Sequence, residues 1–128
     1  MTLAPSSIGT TLPRVDGDLK ITGAARYTVD LALPRMLHAK VLRSPHAHAK
    51  VVAIDARRAR ALPGVAAVVT RDDFAGLNAT YGYFIKDQPI LALDKVRYIG
   101  DMVAAVAAES EEAAVRALGL IEVRYEAL

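Results

Sequence analysis

A chain of 128 residues, 53% of them hydrophobic and 23% charged, has the size of one globular domain. Such a length is expected to hide roughly 65% of the unfolded surface, enough for a core without metal or cross-link, and the absence of cysteine excludes disulfides, zinc fingers, iron–sulfur ligation and a thiol nucleophile within these residues. The net charge of +2 is too small to point to nucleic acid or an anionic membrane, although ten basic and four acidic side chains in residues 1–64, against six and ten in residues 65–128, leave one half able to face an acidic partner.

Residues 1–20, rich in Ser, Thr, Pro and Gly, read as an extended arm ahead of a domain over residues 21–128. The opening has neither a basic start nor an apolar run. The longest apolar stretch, Met102–Ala108, falls far short of the roughly 18 residues of a membrane helix, so the cytoplasm is the default location. Met36–Arg43 and Ala47–Ile54 are strand-like runs separated by Ser44-Pro45-His46, with Leu37, Ala39 and Val41 on one face of the first. Asp55 is placed to cap a short helix over ARRARAL, which Pro63-Gly64 ends.

VAAVVT follows as a strand, and Thr70-Arg71-Asp72-Asp73 has the form of a capping box opening one helical turn. Strand, helix, strand suggests a right-handed crossover and mixed α and β layers. Gly76–Pro89 reads as a loop or irregular hairpin, Ile90–Leu93 and Val96–Tyr98 as short strands, and Gly100-Asp101 as a turn. Met102–Ala108 reads as a strand buried on both sides. Ser110 is an N-cap, Glu111 and Glu112 suit the positive end of the helix, and Ala114, Ala117, Leu118 and Ile121 share a face ended by Gly119. The alternation of Ile121, Val123 and Tyr125 with Glu122, Arg124 and Glu126 marks a half-exposed closing strand. Twenty-four alanines allow helix and sheet to approach closely.

The chemistry-bearing residues form no complete site. His46 and His48 share a strand face, and His38 reaches them if the two runs pair as a hairpin, but no fourth metal ligand is indicated and structural or exposed histidines are favoured. No glycine-rich phosphate loop exists. Asp72-Asp73 and Glu111-Glu112 sit at helix starts, where capping explains them without acid–base work. Ser44 lacks a nucleophile elbow, and Arg43-Ser44-Pro45-His46 is better explained as a hydrogen-bonded turn. Tyr81, Tyr83 and Phe84, flanked by Lys86, form an aromatic loop suited to stacking a ligand ring, or to packing against its own domain or a neighbour. No catalytic, cofactor-binding or metal-binding residue is assigned.

An ordered series of segments nevertheless resembles one family. Pro13-Arg14-Val15-Asp16-Gly17, Lys20–Tyr27, Arg43-Ser44-Pro45-His46-Ala47-His48-Ala49, Leu62-Pro63-Gly64-Val65, Lys95–Gly100 and Ile121–Glu126 are similar to the opening of the molybdenum-binding large subunit of the xanthine dehydrogenase and aldehyde oxidase family, over about residues 8–128. The sequence departs from it at Met102, where many relatives carry proline. The resemblance implies an α+β fold, the α/β hammerhead, with a mixed sheet, two main helices and the extended arm. It implies a structural N-terminal domain of a molybdenum hydroxylase, an oxidoreductase that, when complete, hydroxylates an aldehyde or N-heteroaromatic carbon with water. A molybdopterin cofactor, iron–sulfur clusters and FAD are implied for that complete enzyme and none for this chain, since the family's catalytic glutamate and cofactor loops lie beyond residue 128.

The implied partners are the molybdopterin-binding remainder of the large subunit, an iron–sulfur small subunit and an FAD medium subunit. The start at Met1 favours a separately encoded large subunit over a fused one. The isolated chain is expected to be inactive, and a homodimer through an uncovered apolar patch is a further expectation. The alternative function is a stand-alone small-molecule or metal-binding module using the three histidines and the Tyr81–Gln88 loop.

Overall fold

The computed structural model of the protein describes Gly9 and residues 11–128. The chain divides into two compact units, Met1–Pro34 and Arg35–Leu128. In the described part of the first unit, helix α1 (Gly17–Ile21) is followed by a 3₁₀-helical turn at Thr28–Asp30. That turn is capped by Asp30 Oδ2, which accepts from the Tyr27 N–H at 2.9 Å. At the start of α1, Arg14 and Lys20 both pair with Asp16 and hold its carboxyl below the usual range. The sequence suggests an extended arm over residues 1–20; its described part includes most of this helix, and residues 1–8 and 10 lie outside the described residues.

The second unit contains β1 (His38–Arg43), β2 (Ala49–Asp55), α2 (Arg57–Arg60), β3 (Val65–Val69), β4 (Thr80–Tyr81), β5 (Gln88–Pro89), β6 (Lys95–Val96), β7 (Met102–Ala108), α3 (Glu111–Leu118) and β8 (Glu122–Ala127). They form two three-stranded sheets, ordered β1-β7-β3 and β6-β2-β8, and a two-stranded β4-β5 hairpin. Every one of these pairings is antiparallel. The α+β expectation therefore holds, with sheets that are antiparallel throughout rather than mixed.

The pleat of β7 sends alternate side chains to opposite faces. Ala104, Val106 and Ala108 enter a core completed by Ala113, Ala114 and Ala117 of α3 and by Ile121. Val103, offset by one, enters a second core with Ala49, Val51, Ala92 and Val96. The near-continuous hydrophobicity of Met102–Ala108 predicts a strand buried on both sides; Ala104, Val106 and Ala108 are buried on one face, while on the other Val103 is buried and Ala105 and Ala107 are half-buried.

Local chemistry fixes α3 and α2. Ser110 Oγ accepts from the Ala113 N–H at 3.1 Å, satisfying one of the free amides of the first turn of α3. Ahead of α2, Asp55 Oδ1 accepts from the Arg57 N–H at 3.0 Å. The face of α3 turned to β1 and β7 buries three alanines, so the helix lies close to the sheet.

Three expectations fail for tertiary reasons. The runs at Met36–Arg43 and Ala47–Ile54 do become β1 and β2, but β1 hydrogen-bonds to β7 whereas β2 bonds to β6 and β8, so no hairpin joins them. Strand, helix, strand over β2, α2 and β3 is not a crossover within one sheet, because β3 crosses to the sheet of β7. Ile90–Leu93 forms no strand. Its amides instead make single bonds to two different segments, Ile90 N–H to the Ala79 carbonyl at 2.9 Å and Ala92 N–H to the Met102 carbonyl at 2.7 Å.

Candidate functional site

The polar groups converge where the Ser44-Pro45-His46 turn meets the turn Tyr98–Asp101. Proline ends β1 by removing a backbone donor. The chain then folds so that Ser44 Oγ accepts from the His46 N–H at 3.0 Å, as a turn reading of these residues predicts. The two turns are tied by backbone bonds in both directions, Ser44 N–H to the Asp101 carbonyl and Gly100 N–H to the Ser44 carbonyl, each 2.8 Å. Arg43 Nη1 adds a bond to the Gly100 carbonyl at 2.9 Å. Ser44 and Asp101 are both buried.

Asp101 closes its own turn, since Oδ2 accepts from the Arg97 N–H at 3.0 Å. Its backbone and one carboxylate oxygen are thus structural. His46 stacks on Tyr125 of β8, ring centroids 4.7 Å apart at 54°. Burial pushes the Tyr125 phenol up, opposed by a hydrogen bond with the Ser44 side chain and assisted by the negative charge of Asp101.

Beside these turns lies a hollow of about 420 Å³, lined by Tyr81, Gln88 and Pro89 of the hairpin strands, Asp87, and by Arg97, Tyr98, Asp101 and Met102. It has two phenols, two carboxylates and an amide on its walls. The guanidinium of Arg97 is already engaged with the Lys95 carbonyl at 3.1 Å and with Asp94 at 3.5 Å. These groups supply hydrogen-bond donors and acceptors suited to polar recognition.

The histidines are not brought together. His38 lies in β1 opposite Ala108, while His46 and His48 are exposed in the turn that precedes β2 of the other sheet. The condition for a three-histidine site, hairpin pairing of β1 with β2, is not met. Among the described residues no three His, Asp or Glu side chains are grouped to hold a metal ion.

Of the two carboxylate pairs, Asp73 caps its turn, whereas Glu111 is engaged by a lysine of β1. Asp73 Oδ2 accepts from the Thr70 N–H at 2.7 Å, and that bond first, then the Thr70 hydroxyl and Arg60, holds its carboxyl low. Glu111 pairs with Lys40 of β1, which lowers its carboxyl range with a smaller contribution from His38.

One side chain had no signal in the sequence. Arg71, in the turn opened by Thr70, donates from Nη1 to the Val51 carbonyl at 2.6 Å and the Leu93 carbonyl at 3.0 Å, and from Nη2 to the Val52 carbonyl at 3.1 Å. It ties that turn to β2 where the register with β8 slips between Val51 and Ala53. An arginine after a capping residue looks like any solvated charge; only the bulge that frees these carbonyls gives it a task.

Comparison with known proteins gives this domain its context. A family model described as aldehyde oxidase and xanthine dehydrogenase, a/b hammerhead domain, matches residues 22–128. A probable xanthine dehydrogenase subunit of Bacillus subtilis is 51% identical over 115 residues, covering 90% of this chain and 15% of that protein. The nicotinate dehydrogenase large molybdopterin subunit of Eubacterium barkeri is 40% identical over 121 residues, covering 94% of this chain and 28% of that protein. The crystal structure of quinoline 2-oxidoreductase from Pseudomonas putida 86 superposes with a TM-score of 0.88 at 41% identity, covering 98% of this chain and 17% of that one. The chain thus spans between 15% and 28% of the length of these relatives. With the family model spanning residues 22–128 and the fold superposing on sequences this similar, the chain belongs to the α/β hammerhead domain family of aldehyde oxidases and xanthine dehydrogenases.

Proposed function

We propose that this chain is the structural N-terminal domain of the large subunit of a molybdenum hydroxylase. The complete enzyme would hydroxylate an aldehyde or an N-heteroaromatic carbon with oxygen from water, in the cytoplasm. The observation that carries this reading is the family match across residues 22–128, supported by the 51% identity to a probable xanthine dehydrogenase subunit. The remainder of the large subunit would bring the molybdopterin, and small and medium subunits the iron–sulfur clusters and FAD.

The donor set of this chain does not fit those groups. It has no cysteine to ligate iron and no glycine-rich loop to cradle the phosphates of a pterin or flavin cofactor. Among the described residues the buried polar side chains, Ser44, Thr70 and Asp101, are engaged in hydrogen bonds within the domain. Its contribution is therefore shape: two cores and a set of locked turns that present fixed surfaces to the rest of the enzyme.

The test is purification of this chain with and without the remaining large-subunit segment and the small and medium subunits, followed by molybdenum content and hydroxylase activity. Activity that requires the chain supports the reading. Full molybdenum loading and full turnover in its absence refute it.

A further inference from the structure

We propose that the tip of the β4-β5 hairpin, Tyr83, Phe84 and Ile85, is the anchor by which this domain seats in an apolar socket on the remainder of the large subunit. The proposal rests on the reading that the chain is one domain of such a subunit.

The tip is displayed, and it is held in shape. Tyr83 is 93% exposed, Phe84 92% and Ile85 73%, three large apolar side chains at consecutive positions. The rings of Tyr83 and Phe84 meet edge to face, centroids 4.8 Å apart at 84°. Gly82 has φ +157°, and a Cβ there would overlap the carbonyl oxygen of Ile85, so the backbone closes tightly under the two rings. No charged residue occurs from Phe74 to Ile85; Lys86 and Asp87 come only after the tip. Isolated apolar side chains on a surface are ordinary, but a contiguous aromatic projection marks a contact site. Rigid aromatic groups bury about 150–250 Å² each at little entropic cost, which is why they dominate binding energy where they enter a pocket.

The occupant follows from chain length and from polarity. The chain covers 15% of one relative and 17% of another, so in those proteins the matched domain is joined to a far longer stretch of the same polypeptide. A tethered neighbour acts at high effective concentration. Permanent contacts are also more apolar than those between partners that separate, and this tip carries no charge to keep it soluble alone. A transient ligand of the aromatic loop would need polar groups to orient it, and over Tyr83–Ile85 the one polar side-chain group is the Tyr83 hydroxyl, the exposed Lys86 and Asp87 following it in the loop.

Hydroxyl-radical footprinting tests the seat. Labelling of Tyr83 and Phe84 is measured in the isolated 128-residue chain, in the large subunit alone and in the assembled enzyme. The expected result is a fall of roughly tenfold or more at both residues already in the large subunit alone, as full desolvation of an interface core requires. Unchanged labelling at the tip while other residues of the domain become protected overturns the anchor and leaves the proposed function standing. No change anywhere in the domain overturns the proposed function itself. Protection that appears only when the smaller subunits are added, or in the isolated chain as its concentration rises, assigns the tip to another occupant and overturns the proposal.

A second measurement separates anchoring from mere burial. In a large subunit carrying a protease site just after residue 128, cleavage should leave the domain bound. The doubly substituted domain, Tyr83→Ser with Phe84→Ser, should bind roughly 30-fold more weakly or worse. Both positions lie outside the two cores, so the fold is retained. Equal retention of the two domains overturns the proposal.

Discussion

Replacing Arg71 with alanine removes three hydrogen bonds to backbone carbonyls at once, at 2.6, 3.0 and 3.1 Å. A hydrogen bond from a charged donor contributes about 1.5–3 kcal/mol net. The Arg71 side chain is 24% exposed, so water reaches part of the vacated space and the lower end of that range applies. Three bonds at the lower end, less some rehydration, give a loss of about 3–4 kcal/mol, a large share of the roughly 5–15 kcal/mol of a typical domain. In urea, with a slope of about 2 kcal/mol per molar, the midpoint falls by about 1.5–2 M. Arg71→Lys keeps a charge but not the planar fork, and recovers about one bond of the three. Equilibrium urea unfolding of the isolated chain, followed by far-ultraviolet circular dichroism, reads both variants. A loss below about 1 kcal/mol for Arg71→Ala would refute the assignment of this side chain as the tie across the β2 bulge.

Four further outcomes follow from local geometry. Ser110→Ala removes the acceptor for the Ala113 amide and costs about 1 kcal/mol in the same unfolding assay, whereas Ser110→Asp restores it. Ala114→Leu forces added volume between α3 and β7, where Ala114 is fully buried, and lowers stability by about 1–3 kcal/mol or more; a neutral result would mean the helix is free to move off the sheet. Asp55 is held down to about 2, chiefly by its side-chain bond with Arg57 and next by the Arg57 amide. Its folded value lies below the unfolded value of about 3.9, so its contribution is present above that pH and disappears as pH falls towards 2; Asp55→Asn should flatten that part of the stability profile. Tyr125 has the opposite sign, because burial raises its phenol: the folded chain keeps the proton longer, stability declines above about pH 10, and Tyr125→Phe should remove that decline in alkaline unfolding curves.

Elements governed by neighbours in sequence were legible, and those governed by distant partners were not. The cap at Ser110, the reciprocal bonds between Thr70 and Asp73, and the alternation in β8 each depend on residues a few positions apart, and each stands as its sequence suggests. Strand partners depend on which edges meet. β1 and β2 are separated only by residues 44–48, yet the turn there docks on Tyr98–Asp101, and each strand finds a different sheet. Ile90–Leu93 has the composition of a strand but lies where single amides are taken by Ala79 and Met102. The site follows the same division. The Ser44 turn was readable, while the burial of Asp101, the His46–Tyr125 stack and the Arg71 tie require the assembled sheets. The family resemblance supplied what local patterning did not, because it rests on many segments in order.

The position of β7 determines how the domain comes apart. Its one face walls the alanine-lined core under α3 and its other face supplies Val103 to the core over β2, while Ile54 and Val123 pack against both. Neither core can dissolve without stripping a wall from the other, so the second unit has no route to losing half its structure. Its amides at Val103–Ala108 should exchange with solvent only through whole-domain opening, and heating should give one calorimetric transition for residues 35–128. That cooperativity means the unit presents its surface turns either complete or not at all.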